Sequence, residues 1–163
     1  MSVFKDLKDS MLARGLTDND LQQIAGIARK KKYYKDEIIF SENEPGDTIY
    51  ILAEGKVYIE RRVMPDPHLF PKLILTVKKG QIFGEMAFIE KNNRSATARA
   101  KSNIRLLYIS SDDLMDLLSG HTDLACRLMI NFASIISKRL RRMNEQWLSA
   151  HARNYLLPEF EYH

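Results

Sequence analysis

The chain has 163 residues, 45% hydrophobic and 28% charged, a globular composition that excludes wholesale disorder and fibrous repeats. That length suits one domain with a modest appendage, and folding at this size needs neither disulfides nor metals. The 25 Lys and Arg against 21 Asp and Glu leave a net charge of +4, which permits an anionic partner without requiring a nucleic acid.

Val3, Phe4, Leu7, Met11 and Leu12 recur at helical spacing, and Gly15 can end that segment. Thr17 stands three residues before Asp20, a capping-box start with Asp in place of the usual Glu. Leu21, Ile24, Ala25 and Ala28 form an apolar stripe behind it. Lys30, Lys31 and Lys32 are expected to close this helix, where cations complement the dipole. From residue 34 the period shortens to about 2. Ile38 and Phe40 read as a strand, Glu44-Pro45-Gly46-Asp47 as a turn, and Ile49 and Ile51 as a second strand. Glu54-Gly55 then signals a hairpin into Val57, Ile59 and Glu60. Pro65-Asp66-Pro67 reads as a surface loop, because neither proline fits a central strand. Leu73, Leu75 and Val77 alternate next, Lys79-Gly80 turns the chain, and Ala96 to Ala100 and Ile104 to Ile109 complete the β region. About seven short strands at regular spacing predict a small antiparallel barrel or jelly roll. Ser111-Asp112-Asp113 should cap a short helix that Gly120 ends. A long helix follows from about Thr122 to about Ala152, with Leu124, Leu128, Phe132, Ile135, Ile136, Leu140, Met143 and Trp147 as its apolar stripe. The fold class is thus α+β, a small antiparallel barrel or jelly roll over residues 34–110 between N-terminal helices (1–33) and C-terminal helices (111–157).

Several chemistries are excluded or left unsupported. The longest apolar run, Ile49 to Ala53, is far short of the ~20 residues of a membrane span. Lys5, Asp6, Lys8 and Asp9 break up any signal peptide. A single cysteine, Cys126, fits a reducing cytoplasm, and its apolar neighbours suggest a small core residue. His68, His121, His151 and His163 lack ligand spacing, so no metal is expected. Gly80 to Glu85 is no P-loop, since the closing Lys-Ser/Thr is absent. No triad, paired carboxylates or HExxH motif supports an enzyme. Lys138-Arg139-Leu140-Arg141-Arg142 could meet DNA phosphates but reads more simply as a solvated helix face. Only about ten residues follow the long helix, against roughly 50 for a further domain, so direct DNA binding is not expected.

The informative stretch is Phe83-Gly84-Glu85-Met86-Ala87-Phe88-Ile89, followed by Arg94-Ser95-Ala96-Thr97-Ala98. Gly84 opens a short helical segment where the missing side chain lets a ligand approach the backbone. The N–H groups of Glu85, Met86 and Ala87 begin that segment without internal partners, which favours an anion. Arg94 can fold back over the same spot with a planar, permanently charged fork suited to phosphate. Ser95 offers a hydroxyl and Ala96 a backbone N–H. Glu85 would repel phosphate but accept hydrogen bonds from a sugar hydroxyl. An Arg for phosphate beside a Glu for a hydroxyl describes a nucleotide.

These residues, 83–98, resemble the phosphate-binding cassette of the cyclic-nucleotide-binding domain family, which includes the bacterial catabolite activator and protein kinase A regulatory subunits. Gly46-Asp47-Thr48-Ile49-Tyr50 and Glu54-Gly55-Lys56-Val57 resemble the family's glycine-marked turns. The resemblance implies a jelly roll and a cyclic nucleotide as ligand. It places Arg94 on the cyclic phosphate, Glu85 on the ribose 2′-hydroxyl, and Gly84, Met86, Ala87, Ser95 and Ala96 around them. Ser95, where many cGMP-preferring members have Thr, leans toward cAMP, with cGMP possible. A lid over the base would come from the C-terminal helix through Met143 and Asn144, with Ile74 as a further base contact; Trp147, one turn on, could stack on the base but is favoured for a dimer seam. The resemblance also implies signalling by movement of that helix, whose long stripe suits a homodimer, with any effector on a separate chain. A ligand-free structural module of the same fold is the alternative. Asp36 and Asn43 stand where the family usually has glycine, in early turns expected to lie away from the cassette.

Overall fold

The computed structural model describes residues 2–61 and 72–155, with side chains as far as Ser149. The loop at Pro65-Asp66-Pro67 and the tail beyond Pro158 lie outside the described residues. Helix α1 spans Val3–Lys8, a 3-10 turn spans Met11–Ala13, and α2 spans Asp18–Ile27. The expected capping box is present: Thr17 Oγ1 accepts from the Asp20 N–H at 3.1 Å, and the Asp20 carboxylate accepts from the Thr17 N–H at 2.8 Å.

Eight strands follow: β1 Arg29–Tyr33, β2 Ile38–Phe40, β3 Thr48–Glu54, β4 Lys56–Arg61, β5 Lys72–Lys78, β6 Ile82–Phe83, β7 Thr97–Ala100 and β8 Ile104–Ser110. They form two four-stranded antiparallel sheets, in the orders β1-β8-β3-β6 and β2-β7-β4-β5. Helix α3, Glu85–Glu90, interrupts the second half of the roll, and α4 (Ser111–Ser119) and α5 (Thr122–Tyr155) close the chain. The architecture is a jelly roll flanked by helices.

Strand β3 shows why the run Ile49 to Ala53 is continuously apolar. Ile49 and Ile51 pack outward with Leu7, Ile24, Leu114, Leu128 and Phe132, while Tyr50 and Leu52 point into the roll with Phe40, Val57, Phe83 and Leu106. Successive strand side chains face opposite ways, so a strand between two cores must be apolar at every position. The helices therefore sit on one sheet, and the roll has its own interior.

Four expectations need correction. Lys30, Lys31 and Lys32 do not close α2; they lie in β1, paired with Leu107, Leu106 and Arg105 of β8. Ala28 turns extended and ends the helix, and lysines on an edge strand discourage pairing with other chains. Glu54-Gly55 is not a hairpin, because β3 and β4 belong to different sheets. Gly55, at φ 89°, is the corner between them, and a Cβ there would come within 2.6 Å of the Asn103 carbonyl. The α4 cap is Ser110 rather than Ser111; its hydroxyl accepts from the Asp113 N–H at 3.1 Å. Cys126 is exposed, since two residues from buried Leu124 and Leu128 is the opposite face of a helix.

Candidate functional site

The turn between β6 and α3 is built around Gly84, whose φ of 78° puts it in the left-handed region. A Cβ there would meet a guanidinium nitrogen of Arg94 at 2.8 Å and the Thr48 carbonyl at 3.2 Å. The space a side chain would take is thus given to Arg94.

Arg94 is 3% exposed. Its Nη1 donates to the Gly84 carbonyl and its Nη2 to the Thr48 carbonyl, both at 2.9 Å. The guanidinium lies 4.3 Å from the ring centroid of Phe40 and 5.6 Å from that of Tyr50, on a stacked floor of Phe40, Tyr50 and Phe83. Its Nε is buried without a hydrogen-bond partner among the described residues. Burial lowers its pKa, against the pull of Tyr50, Asp47, Glu44 and Glu85, and an arginine so placed stays charged.

Of the two early turns, the one at Asn43 bears directly on this residue, contrary to expectation, whereas at the other the Asp36 N–H donates to the Ala100 carbonyl at 2.7 Å. The Asn43 N–H donates to the Arg94 carbonyl at 2.9 Å, and the Arg94 N–H donates to the Glu44 carbonyl at 2.8 Å. Asp36 and Asn43 adopt φ of 69° and 70°, the glycine-like conformation that Asp and Asn tolerate best among other residues. Gly46 is needed for space: a Cβ there would stand 2.1 Å from the Ala87 Cβ of α3. The turn at 43–46 therefore clamps both ends of the cassette.

Glu85 begins α3 and is 2% exposed. It is ion-paired with Arg139 of α5, whose second terminal nitrogen donates to the Ile82 carbonyl. Burial pushes the Glu85 carboxyl above its ordinary value; Arg139, its own backbone N–H and Arg94 oppose the rise without cancelling it. Phe88, one turn further along α3, packs on Phe132 of α5 at 6.1 Å between ring centroids. Helix α3 thus faces α5 with a carboxylate and a ring.

The stretch β6–α3–β7 gathers Gly84, Glu85, Met86, Ala87, Arg94, Ser95 and Ala96. Ala87 and Ala96 are buried, Met86 and Ser95 exposed, and the Ser95 hydroxyl points at the Met86 sulfur 3.9 Å away. The four residues considered for the base stand apart: Ile74 is exposed on β5, and Met143, Asn144 and Trp147 are exposed on distal α5. Sequence reasoning missed Arg139, which it left with Lys138, Arg141 and Arg142 on a solvated face. Those three are exposed, but Arg139 is not. A signal was present, since residue 139 continues the buried line of Leu128, Phe132 and Ile135 at spacings of three and four. Among the described residues no group of three or more His, Cys, Asp or Glu could hold a metal.

A family model described as the cyclic nucleotide-binding domain matches residues 30–121, more than half of the chain. The chain belongs to the cyclic nucleotide-binding domain family. Among curated relatives, cGMP-dependent protein kinase 2 of Homo sapiens is 36% identical over 97 residues, covering 60% of this chain and 12% of the kinase. The CRP-like cAMP-activated global transcriptional regulator of Mycobacterium tuberculosis is 27% identical over 141 residues, covering 83% of this chain and 60% of the regulator. The chain thus spans less than two thirds of either protein. The solved cyclic nucleotide-binding domain from Methylobacillus flagellatus KT superposes with a TM-score of 0.81 at 20% identity, covering 96% of this chain and 86% of that one. That likeness carries the jelly-roll fold of this cyclic nucleotide-binding regulatory domain. None of the described helices is long and apolar enough to cross a membrane.

Proposed function

We propose that this chain is a sensor that binds cAMP in preference to cGMP and signals through movement of α5. One observation carries the reading: Arg94, buried on an aromatic floor in the space that Gly84 leaves, keeps an Nε without a hydrogen-bond partner among the described residues. A buried donor without an acceptor is costly, and a cyclic phosphate would supply the missing oxygens in a charge-assisted geometry. Glu85 would then accept the ribose 2′-hydroxyl, with Gly84, Met86, Ala87, Ser95 and Ala96 completing the phosphate and sugar contacts. Met143, Asn144, Trp147 and Ile74 are candidates for the base, and Asn144 could read the adenine edge because it both donates and accepts. The preference for cAMP rests on Ser95. Binding requires no catalytic step, and neither an enzymatic group nor a metal enters the reading.

Two finer features belong to the same proposal. The exposed distal residues Ile136, Leu140 and Met143 continue the buried stripe of α5, which suits a second copy of the chain packed along that helix. An effector on another chain, in the cytoplasm, would read the position of α5.

Isothermal titration with cAMP and cGMP tests the reading. Arg94→Ala should weaken binding by about 30- to 1,000-fold, the cost of losing a bidentate charged partner. Arg94→Lys should recover only part of that loss, because a point charge cannot reproduce the fork. A wild-type protein that binds neither nucleotide would support the ligand-free structural module instead. An Arg94→Ala protein binding within threefold of wild type would remove the cassette assignment.

A further inference from the structure

A cleft of about 200 Å³ lies between the 3-10 turn and α5, lined by Met11, Arg14, Asn131, Ser134, Ile135 and Lys138. The four α5 residues are spaced at i, i+3, i+4 and i+7, one face of a helix. None of the six belongs to the cassette or to the candidates for the base. Ile135 is buried and Met11 is 37% exposed, which gives the cleft an apolar floor. Asn131 is 6% exposed. Its amide nitrogen donates to the Leu12 carbonyl at 2.9 Å and to the Arg14 carbonyl at 2.5 Å, which uses both of its hydrogens. Its amide oxygen, turned away from those carbonyls, has no partner among the described residues. Arg14 and Lys138 are exposed and have no ion-pair partner among the described residues. No acidic side chain lines the cleft.

We propose that this cleft binds a small free amphipathic acid: one carboxylate, an apolar body the size of a leucine side chain, and an N–H or O–H donor beside the carboxylate. Each part of the ligand answers one feature of the cleft. The two unpaired cations complement a single carboxylate, with the Arg14 fork able to hold it through two hydrogen bonds. Ile135 and Met11 take the apolar body out of water. The Asn131 oxygen accepts from the donor, which satisfies an acceptor on a side chain that is otherwise buried and engaged. The volume is small against the roughly 300–1,000 Å³ of pockets for drug-sized molecules, and it limits the occupant to about a dozen non-hydrogen atoms. A ligand held by Arg14 and Lys138 bridges the 3-10 turn to α5 where Asn131 already joins them, so occupancy stabilises the docked helix by mass action.

The test uses the full chain and N-acetyl-L-leucine as the probe, followed through backbone amide shifts in NMR. The shifts should saturate in the low-millimolar range expected for about twelve non-hydrogen atoms, and should centre on residues 11–14 and 131–138. N-acetyl-L-leucinamide, which lacks the charge, should bind about five- to tenfold more weakly. Isocaproate, which keeps the charge and the apolar body but lacks the N–H, should lose about three- to tenfold. In R14Q/K138Q, which changes only two exposed side chains, the preference for the acid over the amide should fall to near one. Asn131 is left intact, because it also holds the 3-10 turn. Absence of saturation by about 20 mM, shifts centred elsewhere, or equal binding of acid and amide by wild type would overturn the proposal. A preference that survives in R14Q/K138Q would overturn it too, as would isocaproate binding as tightly as the probe. A pentapeptide ending in leucine that binds more tightly than N-acetyl-L-leucine would replace the free acid with a polypeptide chain end. The titration involves no nucleotide, so its outcome is independent of the cAMP reading.

Discussion

Helix α5 makes two arginine–carboxylate pairs, and the surroundings of the two carboxylates differ. Asp20 meets Arg127 through two guanidinium nitrogens and also accepts from the Thr17 N–H. Burial by itself raises the Asp20 pKa, but the Thr17 N–H and Arg127 outweigh it and hold the carboxyl below its ordinary value. Glu85 meets Arg139 from a more enclosed position, and there burial wins: the carboxyl rises above its ordinary value. The same pairing thus leaves one carboxyl below its ordinary value and the other above it, the difference lying in burial and in the Thr17 N–H. The same division appears in packing, since Leu124, Leu128, Phe132 and Ile135 are buried beside the Asp20 pair while Ile136, Leu140 and Met143 are exposed beyond it.

The largest way to break this comparison is at the Asp20 pair. Asp20→Ala removes the side-chain half of the capping box, the acceptor of the Thr17 N–H, and the partner of Arg127. Losing that acceptor costs about 1 kcal/mol, and a hydrogen-bonded pair to a charged group adds roughly 1–2 kcal/mol. Urea unfolding should therefore show a loss of about 2–3 kcal/mol, while nucleotide affinity stays within threefold. A stability loss accompanied by a tenfold change in affinity would mean that the two ends of α5 are not separable.

A smaller effect is expected at Glu85, in ligand selectivity. Wild type should prefer cAMP over its 2′-deoxy analogue by about tenfold, the worth of one hydrogen bond to a charged acceptor. In Glu85→Ala that ratio should collapse to near one. Using a ratio matters, because removing Glu85 also removes the partner of Arg139, and that second effect cancels in the ratio. Equal binding of both nucleotides by wild type would sink the sugar role of Glu85.

These residues also mark what the sequence could disclose. The cassette was legible because Gly84 to Ala96 is one short segment, and its meaning depends on local spacing. A small antiparallel barrel or jelly roll followed from strand periodicity and punctuation, and the resemblance of the cassette chose the jelly roll, yet the sheet to which each strand belongs did not follow. Gly55 looks the same whether it closes a hairpin or turns a corner, and only the carbonyl of Asn103 behind it decides. Lys30 to Lys32 satisfy a helix end and an edge strand equally well, and pairing with β8 settles the matter. The contacts that complete the site join distant segments: Asn43 and Glu44 to Arg94, and Arg139 to Glu85 across 54 positions. Such pairs leave at most a faint trace in the chain, as Arg139 does by falling on the apolar line of α5.

In stability the comparison sharpens at a fraction of a kcal/mol. Asp20→Asn should cost about 1 kcal/mol, because a satisfied charge is replaced by a weaker acceptor. Glu85→Gln should cost less than about 0.5 kcal/mol or stabilise slightly, since it removes a buried charge that its surroundings do not fully compensate.

The pH dependence gives the finest separation, and the two carboxyls carry opposite signs. Asp20 is depressed below 3.8, so it contributes stability above that value and loses it as the pH falls through its folded-state pKa. Glu85 is raised above 4.5, so the folded state holds its proton more tightly than the unfolded state does. Its contribution is fully present below pH 4.5 and is lost as the pH rises from there through the raised value. The stability of Glu85→Gln relative to wild type should therefore increase as the pH is raised from about 4 to 7, whereas Asp20→Asn should fall further behind wild type as the pH climbs out of the acid range. Urea midpoints at unit pH steps, taken as differences from wild type, cancel the titration of other groups. R139M removes the nearest charge opposing the rise of Glu85, so the loss of stability with pH should be steeper and extend to higher pH in that variant. A Glu85→Gln difference that is flat with pH would mean that Arg139 satisfies Glu85 as fully as Arg127 satisfies Asp20, and the asymmetry between the two ends of α5 would disappear.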